Sequence, residues 1–290
     1  MNLEAAASFL ATHGRLLDRR RFELLTGEGD TDAVLAAVAA YRNADGGYGW
    51  GLEPDLRAPE SQPGGALHAF EVFEDLAPVT TPLAAQLCDW LASVGLPGGG
   101  LPFAFPVADR AGCAPFWTDA DPTRFSLQST AFVASTALRV AEHDQAVAKH
   151  PWLTSAVSTC LDAIRRVETQ PHAIELSFVV RFLDAARGTH PEAEELLELL
   201  GRFLSSDGIL PVAGGSEGEA LRPLDFSPFP GPARKLFDPA AITAELARLE
   251  AGQLDDGGWT VDFASYSPTA ALDWRGYATV RAISVLQANR

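Results

Sequence analysis

Basic residues are the scarcer charged class in this chain. Its 290 residues include 22 Lys and Arg against 38 Asp and Glu, a formal net charge of -16. Polyanionic partners need a basic surface, so nucleic acid and an anionic membrane surface are both disfavoured. Cysteine is also scarce. Cys88, Cys113 and Cys160 stand apart, without metal-ligand spacing or a disulfide framework. Cys88 and Cys160 fall in helical apolar patterns as small core residues, which points to a reducing compartment. No run approaches the roughly 18 apolar residues that span a bilayer. Met1-Asn2-Leu3-Glu4 lacks the basic-then-apolar plan of a secretory signal. The expectation is a soluble, cytoplasmic protein of bacterial type. No phosphate loop, dinucleotide fingerprint, zinc pair or nucleophile elbow is present. Gly98-Gly99-Gly100 lacks the Lys-Ser/Thr of a phosphate cradle. Neither a metal nor a cofactor is expected.

Strand-like alternation is nearly missing too, and helical periodicity fills the chain. The pattern predicts about ten helices: 3 to 25, 31 to 42, 63 to 76, 82 to 94, 126 to 142, 151 to 169, 171 to 187, 189 to 205, 239 to 251 and 270 to 288. Asp30 or Thr31, Thr81 and Asp238 serve as caps, and Pro63, Pro82, Pro151, Pro171 and Pro239 suit first turns. The helices near 63–76, 126–142, 171–187 and 271–288 are apolar or small on all sides and should be buried. Those near 32–42, 82–94, 190–205 and 239–251 carry one polar face and should lie outside. Two long Pro/Gly/aromatic bridges, 96 to 124 and 207 to 237, exceed what a simple connection needs and read as functional. Alternating inner and outer helices predict an all-α fold, an α/α toroid forming a single domain over 1–290.

One turn recurs. Asp45-Gly46-Gly47-Tyr48 and Gln253-Leu254-Asp255-Asp256-Gly257-Gly258-Trp259 each follow an outer helix and lead, after a bridge, into an inner one. Gly98-Gly99-Gly100-Leu101 and Asp207-Gly208-Ile209-Leu210 read as weaker copies. The C-terminal copy resembles the QW motif of the squalene-hopene cyclase and prenyltransferase superfamily. The resemblance implies a helical toroid in which the Gln amide bonds carbonyls at the end of an outer helix and the Trp ring packs over the turn. It further implies chemistry on isoprenoids. The Asp-x-Asp-Asp motif of class II cyclases is absent, Asp119-Ala120-Asp121-Pro122 being nearest, and Asp255-Asp256 is not followed by the third acid of a class I motif. No Asp-x-Cys of the protein prenyltransferases occurs.

The best candidate functional residues are bridge acids beside aromatics. Glu53 and Asp55 precede one inner helix, Asp119 and Asp121 a second; Asp225 lies in the second long bridge and Asp273 opens the last helix. Loops entering inner helices share one rim of a toroid, so these acids should converge there. The competing reading is that Asp121 and Asp273 are helix caps. Trp50, Trp117 and Trp274 supply aromatic walls, which raise a carboxyl pKa and stabilise cations or stack on sugar rings. Glu175 interrupts an apolar helix and either pairs with Arg181 or Arg275 or serves a ligand. Arg275 is then an internal ion-pair partner, or otherwise an anion or hydroxyl ligand; Gln128 faces the same rim and could orient a ligand, and His68 and His172 are either proton carriers or satisfied core or rim residues.

These readings combine into a terpene-cyclase-like enzyme acting on an isoprenoid or other apolar small molecule, with Asp119 or Asp121 as general acid. Glu53, Asp55 and Asp273 tune the acid or position the ligand. The alternatives are a carbohydrate-active α/α barrel with paired carboxylates and a non-catalytic ligand-binding or scaffold toroid.

Overall fold

Caps and prolines decide where the helices start. In the computed structural model, which describes residues 1–290, seven α-helices have Pro in their first turn, and Ser, Thr, Asp, Asn or His side chains accept first-turn N–H groups at nine. In chain order the helices are α1 (Leu3–His13), α2 (Leu16–Leu25), α3 (Thr31–Ala39), α4 (Pro63–Asp75), α5 (Pro82–Val94), α6 (Pro115–Thr118) and α7 (Leu127–Ala141). There follow α8 (Gln145–Ala148), α9 (Pro151–Ile164), α10 (Ala173–Ala186), α11 (Glu192–Gly201), α12 (Pro223–Phe226), α13 (Pro239–Ala251) and α14 (Pro268–Ala288). The fold is all-α. Its one sheet is the short antiparallel pair of β1 (Leu210–Pro211) and β2 (Ala220–Leu221) inside the second bridge.

Several boundaries differ from the sequence pattern. The predicted first helix is two helices, because Gly14 takes an extended conformation (ψ 156) between them. His172 caps α10, so that helix starts two residues after Pro171. Ser267 caps α14, which places Asp273 in its second turn, and Ser126 caps α7. Neither Asp121 nor Asp273 is therefore a cap of its inner helix.

Burial contrasts most between α4 and α13, while α14, expected to be buried on all sides, keeps an exposed side that includes Leu272. Within α4 every residue from Pro63 to Phe73 except Leu67 is buried, whereas α13 buries only Ile242 and Glu245. Packing neighbours run α2–α4, α4–α7, α7–α10, α10–α12, α12–α13, α13–α14 and α14–α2, so the sequence of contacts returns to its start. No helix is long and apolar enough to cross a membrane.

The recurrent turn is a definite hydrogen-bonded structure. In the first copy the Gly46 N–H donates to Asn43 O and the Asn43 N–H to Gly47 O; in the last, Gly257 donates to Leu254 and Leu254 to Gly258. The Leu96–Gly100 turn repeats both bonds, and Gly208 to Ser205 repeats one. Gly46 and Gly257 have φ of 96 and 94, a left-handed conformation that suits glycine. The division of labour at the last copy differs from the one the resemblance implied. The Trp259 indole N–H, not the Gln253 amide, satisfies the helix-end carbonyl of Leu249, at 2.7 Å. Gln253 instead donates to Gly257 O and Asn2 O and accepts from the Asn2 N–H, tying the turn to the start of α1.

Candidate acid–base site

The segment after the first turn must fold tightly against the start of α4, and glycines let it. A Cβ on Gly65 would lie 2.2 Å from Tyr48 O, and one on Gly64 would lie 3.3 Å from Glu53 and 3.6 Å from the Trp117 ring. Glu53 and Trp117 thus both pack over Gly64. The Leu56 N–H donates to Glu53 O, closing a turn, and the Asp55 N–H donates to Glu53 Oε1 at 3.1 Å. The first long bridge is pinned to this turn through the Ala114 N–H, which donates to Asp55 O. A small apolar cluster of Leu56, Ala58, Ala104, Cys113, Ala114 and Trp117 fills the space between them.

His68, one turn into α4, meets Glu53 Oε2 through Nε2 at 3.2 Å and Glu71 Oε2 through Nδ1 at 2.8 Å. The Tyr277 hydroxyl on α14 donates to Glu71 Oε1 at 2.9 Å. Asp55 accepts from the Trp274 indole at 2.8 Å and from the Tyr266 N–H at 2.9 Å. The rings of Trp274 and Tyr277 stand edge-on to His68 at 5.9 and 5.2 Å. Glu53, Asp55 and His68 are all less than a tenth exposed.

Burial disfavours charge on His68, but Glu71 and Glu53 more than offset it and lift the imidazole to about 9. Burial works against the Glu71 carboxylate as well, yet His68, Arg21 and Arg281 hold it well below the usual carboxylate range. Burial raises Asp55, with Glu53 adding to the effect, while Tyr266 and Trp274 partly oppose it. The result is a buried imidazolium between two carboxylates, under an aromatic cover. Trp117 stacks on Phe103 at 4.6 Å, and its buried indole N–H has no acceptor.

Other predicted residues lie elsewhere. Asp119 is 63% exposed and pairs with Arg110 at 2.6 Å. Asp121 is exposed and accepts from the Thr123 N–H and hydroxyl, which lower its pKa. Neither has the desolvated setting that keeps a carboxyl protonated for general-acid work. Asp273 pairs with Arg57 at the edge of the site. Trp50 is 57% exposed and donates to Asn43. Arg275 belongs to the last turn, bonded to Asp256 and stacked on Phe9. Asp225 accepts from the Arg222 N–H at the start of α12, with its pKa raised by burial. Glu175 pairs with neither Arg181 nor Arg275. Burial raises it, and only the Gln128 backbone and His172 counter that. Arg181 donates instead to Asp225 O at 2.7 Å. His172 caps α10 and contacts Ala213 O.

Glu71 and Tyr277 were not singled out from sequence. The signal for Glu71 was the His-x-x-Glu spacing on an otherwise apolar helix, which puts both side chains on one face. Tyr277 meets Glu71 across 206 residues, a pairing no local pattern encodes. No protein-family model matches the chain, and no curated protein is significantly similar to it.

Proposed function

We propose that the chain is an acid–base enzyme of the terpene-cyclase-like kind, a single α/α-toroid domain acting on a small, largely apolar molecule. The observation that carries the reading is His68, held charged and buried between Glu53 and Glu71 beside the rings of Trp274 and Tyr277. In this scheme the proton starts on His68 Nε2, crosses the 3.2 Å contact to the Glu53 carboxylate and passes from Glu53 to the substrate, leaving a neutral imidazole and a Glu53 carboxylate, while Glu71 with Tyr277 keeps the imidazole oriented. Asp55 lies beside Glu53, and the faces of Trp117 and Trp274 favour a cationic intermediate. The proton donor therefore moves from Asp119 or Asp121 to Glu53. Three free, buried cysteines favour a cytoplasmic setting, and the charge of -16 argues against a nucleic-acid partner.

One observation favours a second reading, a carbohydrate or similarly polar substrate. Beyond His68, the last acids of α4 meet arginines at its C-terminal end: Glu74 pairs with Arg139 at 2.7 Å and Asp75 with Arg21 at 2.6 Å. Native mass spectrometry and thermal-shift screening against isoprenoids with their diphosphates, and against oligosaccharides, separate the two. Isoprenoid stabilisation and turnover that Glu53→Gln abolishes would support the first reading. Stabilisation by sugars alone would move the assignment to the second, and a Glu53→Gln protein with full activity would remove Glu53 from either.

A further inference from the structure

Arg281 is the one guanidinium at its site without a partner. It stands one turn before Ser284 on the same face of α14, and both line a cavity of about 200 Å³ with Arg21, Glu71, Glu74 and Asp75. Every carboxylate there is already matched: Glu71 to His68 and Tyr277, Glu74 to Arg139, Asp75 to Arg21. Arg281 makes no hydrogen bond or ion pair within the protein. Its guanidinium carbon lies 4.8 Å from the Phe229 ring, and its charge reaches Glu71 across the cavity without a hydrogen bond. Ser284 likewise gives its hydroxyl to no protein acceptor, and Arg21 spends only Nε on Asp75. Donors that open onto a cavity and have no protein acceptor are free to take one from a ligand.

Behind them, Arg181 has a single hydrogen bond, to the carbonyl of Asp225. Burial and the nearby Arg281 charge push its guanidinium down to about 10. The inner faces of α10 and α14 therefore present two cations that no side chain neutralises by direct contact.

We infer that this cavity is a binding site for a small oxyanion, a carboxylate or phosphate group, gripped by Arg281 and Ser284 with the remaining N–H groups of Arg21. A planar guanidinium offers paired donors that match both oxyanions. The volume suits such a group rather than a large ligand. The site lies toward the C-terminal end of α4, while Glu53 and Asp55 cover its N-terminal end, so it stands whether or not Glu53 is a proton donor.

The test is a thermal-unfolding titration with inorganic phosphate and, separately, acetate, at ionic strength held constant with NaCl. A saturable rise in Tm with either anion, beyond NaCl, is expected, and whichever acts identifies the oxyanion. Arg281→Gln should weaken that anion about tenfold or more, Arg281→Lys less, since it keeps charge but loses the fork. Should Arg281→Gln not fold, Ser284→Ala should still weaken binding. No anion-specific rise, or equal binding by the wild type and the folded Arg281→Gln or Ser284→Ala protein, would overturn the assignment.

Discussion

Replacing His68 by Gln tests the centre of the site, because it keeps a hydrogen-bonding side chain and removes the charge. The imidazole moves from 6.5 to about 9 on folding. At 1.36 kcal/mol per pKa unit this is roughly 3 kcal/mol of stabilisation. The lowering of Glu71 reports the same contact from the other side and is counted once. His68 is only 4% exposed, so solvent screening removes little of it. Because the folded pKa lies above the unfolded one, the contribution is complete below pH 6.5. Between pH 6.5 and 9 the unfolded chain has released the proton that the folded protein keeps, and stability falls as pH rises. Urea unfolding of wild type and His68→Gln at pH 6, 7.5 and 9.5 reads this directly. With a denaturant slope of about 3 kcal/mol per M for a chain of this size, the wild-type advantage in midpoint should shrink by about 1 M across that range. A difference that stays constant from pH 6 to 9.5, or a histidine NMR titration placing His68 below 7, would refute the charged clamp.

The other predictions concern the turns and the carboxylate beside the clamp. Gly46→Ala should cost about 1 kcal/mol, the backbone term alone, because its new Cβ meets nothing nearer than 3.5 Å. Gly257→Ala should cost clearly more, since the same φ is joined by a clash with Ala5 O at 2.2 Å; chemical denaturation of the two variants checks the order. Trp259→Phe removes the indole donor to Leu249 O and should lower stability by about 1–2 kcal/mol in the same assay. Asp55→Asn turns one of two accepting oxygens into a donor facing an N–H. It should cost about 1–3 kcal/mol and alter tryptophan fluorescence through Trp274; an unchanged spectrum and midpoint would contradict the bonding described.

What the sequence reveals of this protein is mostly what local chemistry fixes. The contrast between α4 and α13 is written in composition, since a helix that is apolar or small over most of its surface is driven inside. The turns were legible because Asp-Gly-Gly carries its own backbone requirement, and the hydrogen bonds at Asn43–Gly47 and Leu254–Gly258 repeat as expected. Glu53 and Asp55 were found because two acids beside a buried helix are conspicuous. Asp119 and Asp121 were equally conspicuous and lie outside, and no local signal tells an inward bridge acid from an outward one. Arg110 and Thr123, their actual partners, are ordinary surface neighbours. The clamp itself depends on Tyr277 and Trp274 arriving from the far end of the chain.

The distribution of charge around α4 bears on why the site is built as it is. This helix supplies the acids, and its neighbours supply what they meet: Arg21 from α2, Arg139 from α7 and Tyr277 from α14. A sheltered ion pair gains little over well-packed apolar residues, because each charge gives up its hydration. General stability is therefore a poor reason for placing two such pairs, with the Tyr277 hydrogen bond beside them, along one helix. They do fix the register of α4 against α2, α7 and α14 at once, and register decides where His68 sits relative to Glu53. A displacement of α4 by even part of a turn would separate the 3.2 Å contact to Glu53. The ionic contacts further down the helix thus act on the site by holding one imidazole in place. The rings beside it, Trp274 held by Asp55 and Tyr277 held by Glu71, keep water from weakening the charge that results.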